Sequence, residues 1–316
     1  MIDFRYHLVS LIAVFLAVAL GIVIGTTQLN GPVLSNLQGQ VKSLQNDKRT
    51  LENHTRTLQT EVDGSQSFDQ AVGPALVHDS LPGGRVLLVV ADDGVAQQSV
   101  DGITALVAKA GGTVTGAIRL QPAYSDPATT SSLQSYVTGP GLPPVTLPQA
   151  TDTGHLVAAL LAQVLLMPEK GGRAMATPGE VSSVLAGLSA LKVLQQDSPS
   201  VTPADYAVIL TSGAMTGPDA ATRIGTVVDL VSALDAVGMG TVVAGDPAST
   251  AGTGLVGVIR AAPALSAAVS TVDNADSPAG WISAVLALGP EAKGTSGKYG
   301  TGQDTQPVPP VAASTP

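Results

Sequence analysis

The chain contains no cysteine among its 316 residues. A disulfide, an iron–sulfur cluster, a thiolate zinc site and a cysteine nucleophile are therefore excluded. Charged residues are also scarce at 12%, about half the ~25% of an ordinary soluble domain, and aromatic residues amount to only 3%. Because the chain is long and 44% hydrophobic, it can still bury a core in one large or two small domains.

Positive charge is in short supply. The chain has 15 Lys and Arg against 24 Asp and Glu, a formal net charge of -9. Recognition of a phosphate backbone requires a clustered basic surface, so a nucleic-acid partner is excluded.

An apolar run without charged residues covers residues 8–25, which is long enough for a membrane-spanning helix. We predict a cytoplasmic stub and uncleaved membrane anchor over residues 1–29. The alternative is a cleaved signal peptide, since Ala17-Val18-Ala19 has the A-x-A form. Arg5 precedes the run and no basic residue follows before Lys42, so the positive-inside rule places the bulk of the chain outside the cytoplasm.

A heptad pattern follows the apolar run, and it predicts a coiled coil over residues 30–66. Four leucines lie seven residues apart at d positions, and Lys48 takes an a position between them. The predicted partner-binding residues are Leu37, Leu44, Lys48, Leu51 and Leu58. The alternative interpretation is one amphipathic helix that packs on the globular domain.

The polar heptad positions bear on the choice of partner. In a parallel homodimer two copies of Lys48 would meet in the seam, and Asp47 would face Glu52 of the other chain. These like-charge contacts make a homodimer marginal. A different protein with an acidic a position and basic flanks is therefore the favoured partner.

Short apolar runs alternate with helical stretches over residues 67–292, which predicts an extracytoplasmic α/β domain. Runs such as VLLVV and YAVIL are continuously apolar, as parallel strands buried on both faces should be. The alternation predicts a doubly wound, mostly parallel, Rossmann-like sheet. The expected strands are 85–91, 113–120, 206–211, 241–245, 255–260 and 269–272, and the expected helices are 95–110, 152–166, 179–194, 219–237 and 277–288.

Two segments interrupt or follow this pattern. Residues 121–151 are rich in Pro, Gly, Ser and Thr, and we interpret them as a long excursion that could separate two lobes. Residues 293–316 have little to bury and end in Pro-rich sequence, which predicts a flexible tail.

One nucleotide-binding motif occurs, and we expect it to be accidental. Residues 252–257, GTGLVG, match G-x-G-x-x-G, with Asp273 about where a ribose-binding acid would lie. The motif should open a helix, but the residues after Gly254 have the pattern of a strand. A tight turn is the favoured interpretation.

An acidic pair, Asp92 and Asp93, follows the first predicted strand, where carboxylates hold Mg²⁺ in several α/β folds. Asp246 is the one obvious partner acid, and no suitably placed lysine follows it. We favour a strand-to-helix cap at Asp92 or Asp93. The sequence has no nucleophile elbow, Walker loop or H-E-x-x-H motif, so we expect neither enzymatic activity nor a cofactor.

Four segments in chain order carry a family resemblance: MIDFRYHLVSLIAVFLAVALGIVIG, FDQAVGPALVHDSLPGGRVLLV, STVDNADSPAGWISAVLAL and GKYGTG. They resemble the actinobacterial family named after mycobacterial copper transport protein B. The resemblance implies a cell-envelope location and two alternative roles. One is copper efflux through a channel-forming protein, and the other is a coiled-coil partner in regulating cell-wall hydrolysis during cell separation.

The residues themselves supply no recognisable copper motif. Soft Cu(I) prefers Cys and Met, whereas Cu(II) prefers imidazole. The histidines stand apart at positions 7, 54, 78 and 155, and Met167, Met175, Met215 and Met239 show no M-x-x-M grouping. We therefore expect no metal site within one chain, and a partner-recruiting scaffold is favoured over copper transport.

Overall fold

The structure is a computed structural model, and it describes residues 4–149, 152–168 and 175–310. Within the first helix, the side chains of residues 26–34 lie outside the described set. The chain divides into two compact units, Met1–Ser65 and Gln66–Pro316. Each unit is described separately below.

A continuous helix, α1, spans Phe4–Leu76. Its segment Phe4–Gly25 is long and apolar enough to cross a membrane, with a mean hydropathy of 2.9 and none of it buried. Apolar residues lie on every side of this segment, which is the distribution that contact with lipid requires.

Helix α1 runs without a break through both ends of the predicted coiled coil, residues 30 and 66. Gly64, near the second of these ends, does not interrupt the helix, because one glycine inside a helix costs only about 1 kcal/mol. The last turns of α1 are moreover held by packing within the second unit. There a Cβ at Gly73 would lie 3.0 Å from the Ile282 side chain, so the two segments approach closely.

The second unit is built on a seven-stranded sheet with the order β3-β2-β1-β4-β5-β6-β7. All neighbouring strands are parallel except β2 and β3, which are antiparallel. The strands are β1 Arg85–Val90, β2 Thr113–Leu120, β3 Leu194–Gln196, β4 Tyr206–Thr211, β5 Gly240–Gly245, β6 Ser270–Val272 and β7 Lys298–Tyr299. The predicted α/β class and mostly parallel, doubly wound sheet are confirmed.

Helices cover both faces of this sheet. They are α2 Gln97–Lys109, α3 Thr130–Val137, α4 Thr153–Leu165, α5 Pro178–Ala190, α6 Ala220–Val237, α7 Leu255–Ala261, α8 Pro263–Ala268 and α9 Pro278–Glu291. Alternate residues of β1 enter the two layers, as the pleat of a strand requires. Leu87 and Val89 pack with α3 to α7, whereas Val86, Leu88 and Val90 pack with α2 and α9.

The predicted strand at 255–260 is wrong, because these residues form helix α7. Leu255, Val256 and Ile259 are its buried residues, and their spacing of one and four is helical. A short apolar run fits either a strand or a helix, so its periodicity alone did not separate the two. The predicted helix 179–194 is too long, since Lys192 has a φ of 59° and Leu194 begins β3.

Residues 121–149 do not divide the α/β unit into two lobes. Tyr124, Leu133 and Val137 from this segment are buried in the core layer that contains α4 and α6. These three apolar side chains anchor a stretch whose average composition is that of a loop. Residues 150 and 151, at the end of the predicted excursion, lie outside the described residues.

The prediction of a flexible tail from residue 293 is also wrong for part of that segment. Strand β7 pairs with β6, and Tyr299 is 3% exposed. The Asp273 carboxylate accepts a hydrogen bond from the Thr301 amide at 2.7 Å. Backbone pairing and one aromatic residue thus order a segment of low hydrophobicity. Residues 311–316 lie outside the described residues.

Candidate functional site

The carboxyl ends of β1 and β4 lie side by side at the point where the strand order reverses. From β1 the chain crosses to β2 on one side, and from β4 it crosses to β5 on the other. In doubly wound sheets this switch point opens a crevice where ligands bind. The residues that follow these strands are therefore the first candidates for a functional site.

Asp92, two residues after the end of β1, uses both carboxylate oxygens to hold the end of β4. Oδ2 accepts hydrogen bonds from Thr211 Oγ1 at 3.0 Å and from the Ser212 amide at 2.8 Å. Oδ1 accepts from the Gly94 amide at 3.0 Å and from the Ser212 hydroxyl. The N-cap residue of α2 is Ala96, so Asp92 does not cap that helix as expected. It joins two strand ends instead.

Asp246, the expected partner acid, has a parallel role after β5. Its Oδ1 accepts hydrogen bonds from the Gly213 amide at 2.8 Å and the Ser249 amide at 2.9 Å. Asp92 and Asp246 thus hold the two successive residues Ser212 and Gly213 from opposite sides. Each acid therefore has a structural role, because its carboxylate holds a backbone amide that follows β4.

A cavity of about 260 Å³ opens beside Ser212 and Gly213. Its polar lining includes Asp92, Ser125, Ser212 and Arg223, and the Arg223 Nε donates to Ser125 Oγ at 3.3 Å. Its apolar lining includes Met215. The cavity could receive a small molecule, but the Asp92 and Arg223 side chains are hydrogen-bonded to neighbouring protein groups.

The G-x-G-x-x-G segment does open a helix, contrary to expectation, since Gly254 is the N-cap residue of α7. Two of its three glycines, Gly254 and Gly257, are nevertheless explained by packing. A Cβ at Gly254 would overlap the Ser249 carbonyl oxygen, and one at Gly257 would overlap the Ala251 carbonyl oxygen. The Asp273 carboxylate is bound to Arg260 Nη1 at 2.7 Å. Gly254 and Gly257 therefore allow close packing of the backbone, and Asp273 forms an ion pair with Arg260.

A second hollow of about 370 Å³ lies between α4, α6 and the segment around Tyr124. It contains three potential metal ligands, Asp152, His155 and Asp229, whose ligand atoms all lie within 4.8 Å of one another. The sequence reasoning missed this cluster because Asp229 is far away in the chain. The three-residue spacing of Asp152 and His155 at a helix start was the available signal.

The predicted partner-binding residues all lie on the described part of α1, and they are exposed in this single chain. The exposed fractions of Leu37, Leu44, Leu51 and Leu58 are 52%, 67%, 69% and 51%. Lys48 Nζ lies 3.6 Å from Glu52 Oε1 on the same helix. Residues seven apart fall on one face, so the four leucines form an apolar stripe.

Comparison with known proteins places the whole chain in one family. The family described as "Copper transport outer membrane protein, MctB" matches residues 1–310. The chain belongs to the MctB family. The protein named Copper transporter MctB of Mycobacterium tuberculosis is 30% identical over 312 residues, which cover 98% of this chain and 99% of that protein. Its namesake from Mycobacterium leprae is 33% identical over 315 residues, covering 96% and 97%.

Membership of the MctB family confirms the resemblance seen in the sequence. It extends from the apolar segment Phe4–Gly25 through the α/β unit and β7. The family is one of membrane copper transport proteins, and the apolar helix is the part of this member suited to a membrane.

Proposed function

We propose that this protein is a single-pass, membrane-anchored component of copper efflux or homeostasis. The observation that carries the proposal is its similarity, along 98% of its length, to proteins named as copper transporters. Because the similarity includes both the apolar helix and the α/β unit, we assign the function to the whole chain.

The charge distribution supports one orientation in the membrane. Arg5 precedes the apolar segment, and the next basic residue is Lys42. The positive-inside rule then places the N-terminus in the cytoplasm and the α/β unit on the other side, in the cell envelope. One spanning helix cannot line a pore alone, so a channel-forming role requires several copies or a partner.

Deletion in the producing cell tests the copper function. Loss of the protein should raise cellular copper and copper sensitivity, and the intact chain should restore both. A variant with Leu16→Arg and Val18→Arg should fail to restore them, because two charges at the centre of the apolar segment oppose insertion.

Cellular zinc, measured in the same cells, provides the control, and it should not change. Normal copper content after deletion would overturn the proposed function.

The exposed leucine stripe favours a second function, recruitment of a partner protein. Exposed leucines repeated every seven residues over Leu37–Leu58 match a coiled-coil seam whose second helix comes from another chain. Lys48 lies within the stripe, and a partner with an acid at the facing position would pair with it. Such a scaffold would suit the regulation of cell-wall hydrolysis.

A cross-linking pull-down from membranes tests this second function. Leu44→Glu with Leu51→Glu should abolish recovery of the partner, because each leucine lies at a d position. The matched control is Asn46→Glu with Asn53→Glu, which adds the same charge at f positions of the same turns. Equal recovery with both pairs of substitutions would contradict recruitment through the stripe.

A further inference from the structure

Three side chains from two helices meet in the second hollow. Asp152 and His155 stand at the start of α4, and Asp229 lies on α6. His155 Nδ1 is 3.0 Å from Asp152 Oδ2 and 3.3 Å from Asp229 Oδ2. One ring nitrogen thus faces two carboxylates.

These separations fit the edges of a metal coordination shell. Bonds of about 2.0 to 2.2 Å from a metal to N and O ligands, at angles of about 90° to 110°, separate the ligand atoms by about 2.8 to 3.6 Å. A cation that replaced the Nδ1 proton would therefore lie beside His155 and both carboxylates, since the three ligand atoms all lie within 4.8 Å of one another. One imidazole nitrogen and two carboxylate oxygens are a donor set that suits divalent transition metals.

Local structure accounts for only part of this arrangement. Asp152 Oδ1 caps α4 by accepting from the Gly154 amide at 3.0 Å, which leaves Oδ2 for the His155 contact. Capping does not explain why Asp229, from another helix, approaches the same nitrogen. Asp229 is also the more buried of the two acids, with 20% of its side chain exposed against 61% for Asp152.

The charges in the cluster favour a cation. Two carboxylates around one imidazole leave net negative charge, and a divalent ion would neutralise it.

Tyr124 supplies an independent indication of a ligand. Its side chain lines the same hollow and is 3% exposed, and its hydroxyl has no hydrogen-bond partner in the described part of the chain. Asp229 is near enough for its charge to contribute to the raised pKa of Tyr124, after the larger effect of burial. A buried hydroxyl without a partner is costly, so this position is suited to a ligand or metal-bound water.

We propose that Asp152, His155 and Asp229 form a binding site for a divalent transition-metal ion, and that the ion is Cu(II). The site follows from the geometry, whereas the choice of copper rests in part on the proposed function. Copper is also the ion that a mixed N and O donor set of this kind binds most tightly among the first-row divalent metals.

The test is titration of the full chain in detergent micelles with Cu(II), followed by calorimetry and electron paramagnetic resonance. We expect one ion per chain and hyperfine coupling to one imidazole nitrogen. His155→Gln and Asp229→Asn should each weaken binding at least tenfold and, for His155→Gln, remove the nitrogen coupling.

His78→Gln is the matched control, because His78 also contacts an aspartate, Asp79, at 3.2 Å but pairs with no second acid among the residues that the structure describes. It should bind Cu(II) as the unaltered chain does. Trp281 fluorescence should be the same in all variants, which shows that they fold.

Equal Cu(II) affinity in the unaltered chain and His155→Gln would overturn the site. His155-dependent binding of Zn(II) without binding of Cu(II) would overturn its assignment to copper. The site and the proposed function fail separately. Normal cellular copper after deletion would remove the function and leave the site, whereas copper accumulation together with unchanged binding in His155→Gln would remove the site alone.

Discussion

The two units of this protein use leucine and valine in opposite ways. In the first unit, the described large apolar residues from Phe4 to Val62 are all about half exposed or more. In the second unit, residues such as Leu88 and Leu161 are completely buried between the sheet and its helices. An α/β unit buries its own apolar surface, whereas the surface of a lone helix needs lipid or another protein.

The largest expected effect comes from a buried ion pair of the α/β unit. Arg260 and Asp273 pair at 2.7 Å with side chains 12% and 1% exposed. Arg260→Met should lower the free energy of unfolding by about 3 to 5 kcal/mol, because it leaves a buried carboxylate without its counter-charge. Urea unfolding followed by Trp281 fluorescence measures this loss. A loss below 1 kcal/mol would show that the amides of 301 and 302 suffice for Asp273.

The next largest effect is a difference in the free energy of unfolding between leucine truncations in the two units. Leu88→Ala in β1 should cost about 2 to 5 kcal/mol, since it opens a cavity in a closely packed layer. Leu51→Ala in α1 should change unfolding of the α/β unit by less than about 0.5 kcal/mol. The same fluorescence measurement applies to both. Similar losses from the two truncations would break the contrast between the units.

The pH dependence of stability should come from buried acids of the α/β unit. Burial raises the pKa of Glu291 from 4.5 to about 7, and the charge of Asp235 adds to the effect. The folded state then holds this proton more tightly than the unfolded state, so its contribution is complete below pH 4.5 and is lost as the pH rises through 7. The loss is on the order of 3 kcal/mol.

Glu291→Gln should flatten this decline between pH 5 and pH 8, because an amide does not ionise and can still accept from the Ser270 amide. Urea unfolding at pH 5 and at pH 8 measures this decline in the free energy of unfolding. Glu61→Gln, an exposed site on α1, is the control and should leave the slope unchanged. An unaltered slope in Glu291→Gln would assign the pH dependence to other groups.

The smallest effect is expected at the exposed pair of Lys48 and Glu52. A double-mutant cycle with Lys48→Gln and Glu52→Gln, followed by thermal loss of helical ellipticity, should give a coupling below about 0.5 kcal/mol. A coupling above 1 kcal/mol would show that the pair is shielded from water. That result would sharpen the contrast, since it would place a partner over the leucine stripe.

Strands β1 and β4 were predictable because each is a continuous apolar run between turn residues, and the sheet class followed from their alternation with helices. Helix α7 was not, because seven residues contain too few periods to distinguish helix from strand. Strand β7 has almost no hydrophobic pattern. Its order depends on β6, on Arg260 and on Asp273, which are distant in sequence.

The candidate sites divide in the same way. Leu37, Leu44, Leu51 and Leu58 form a stripe that spacing alone defines, because one helix converts a sequence period directly into a face. The exposure of that stripe in the single chain agrees with a partner-binding role, which stays a prediction. Asp229 could not be associated with Asp152 and His155 from spacing, because packing of α4 against α6 brings them together.

The amino-acid sequence by itself determined the membrane-suited helix, the heptad stripe, the α/β class and the family. All of these depend on composition or on periods of a few residues, which local geometry translates into structure. Only the tertiary structure decided that Asp92 joins two strand ends, that Asp273 orders the tail, and that three metal-ligating side chains share one hollow. Such contacts join residues far apart in the chain, and their distances depend on how complete layers pack.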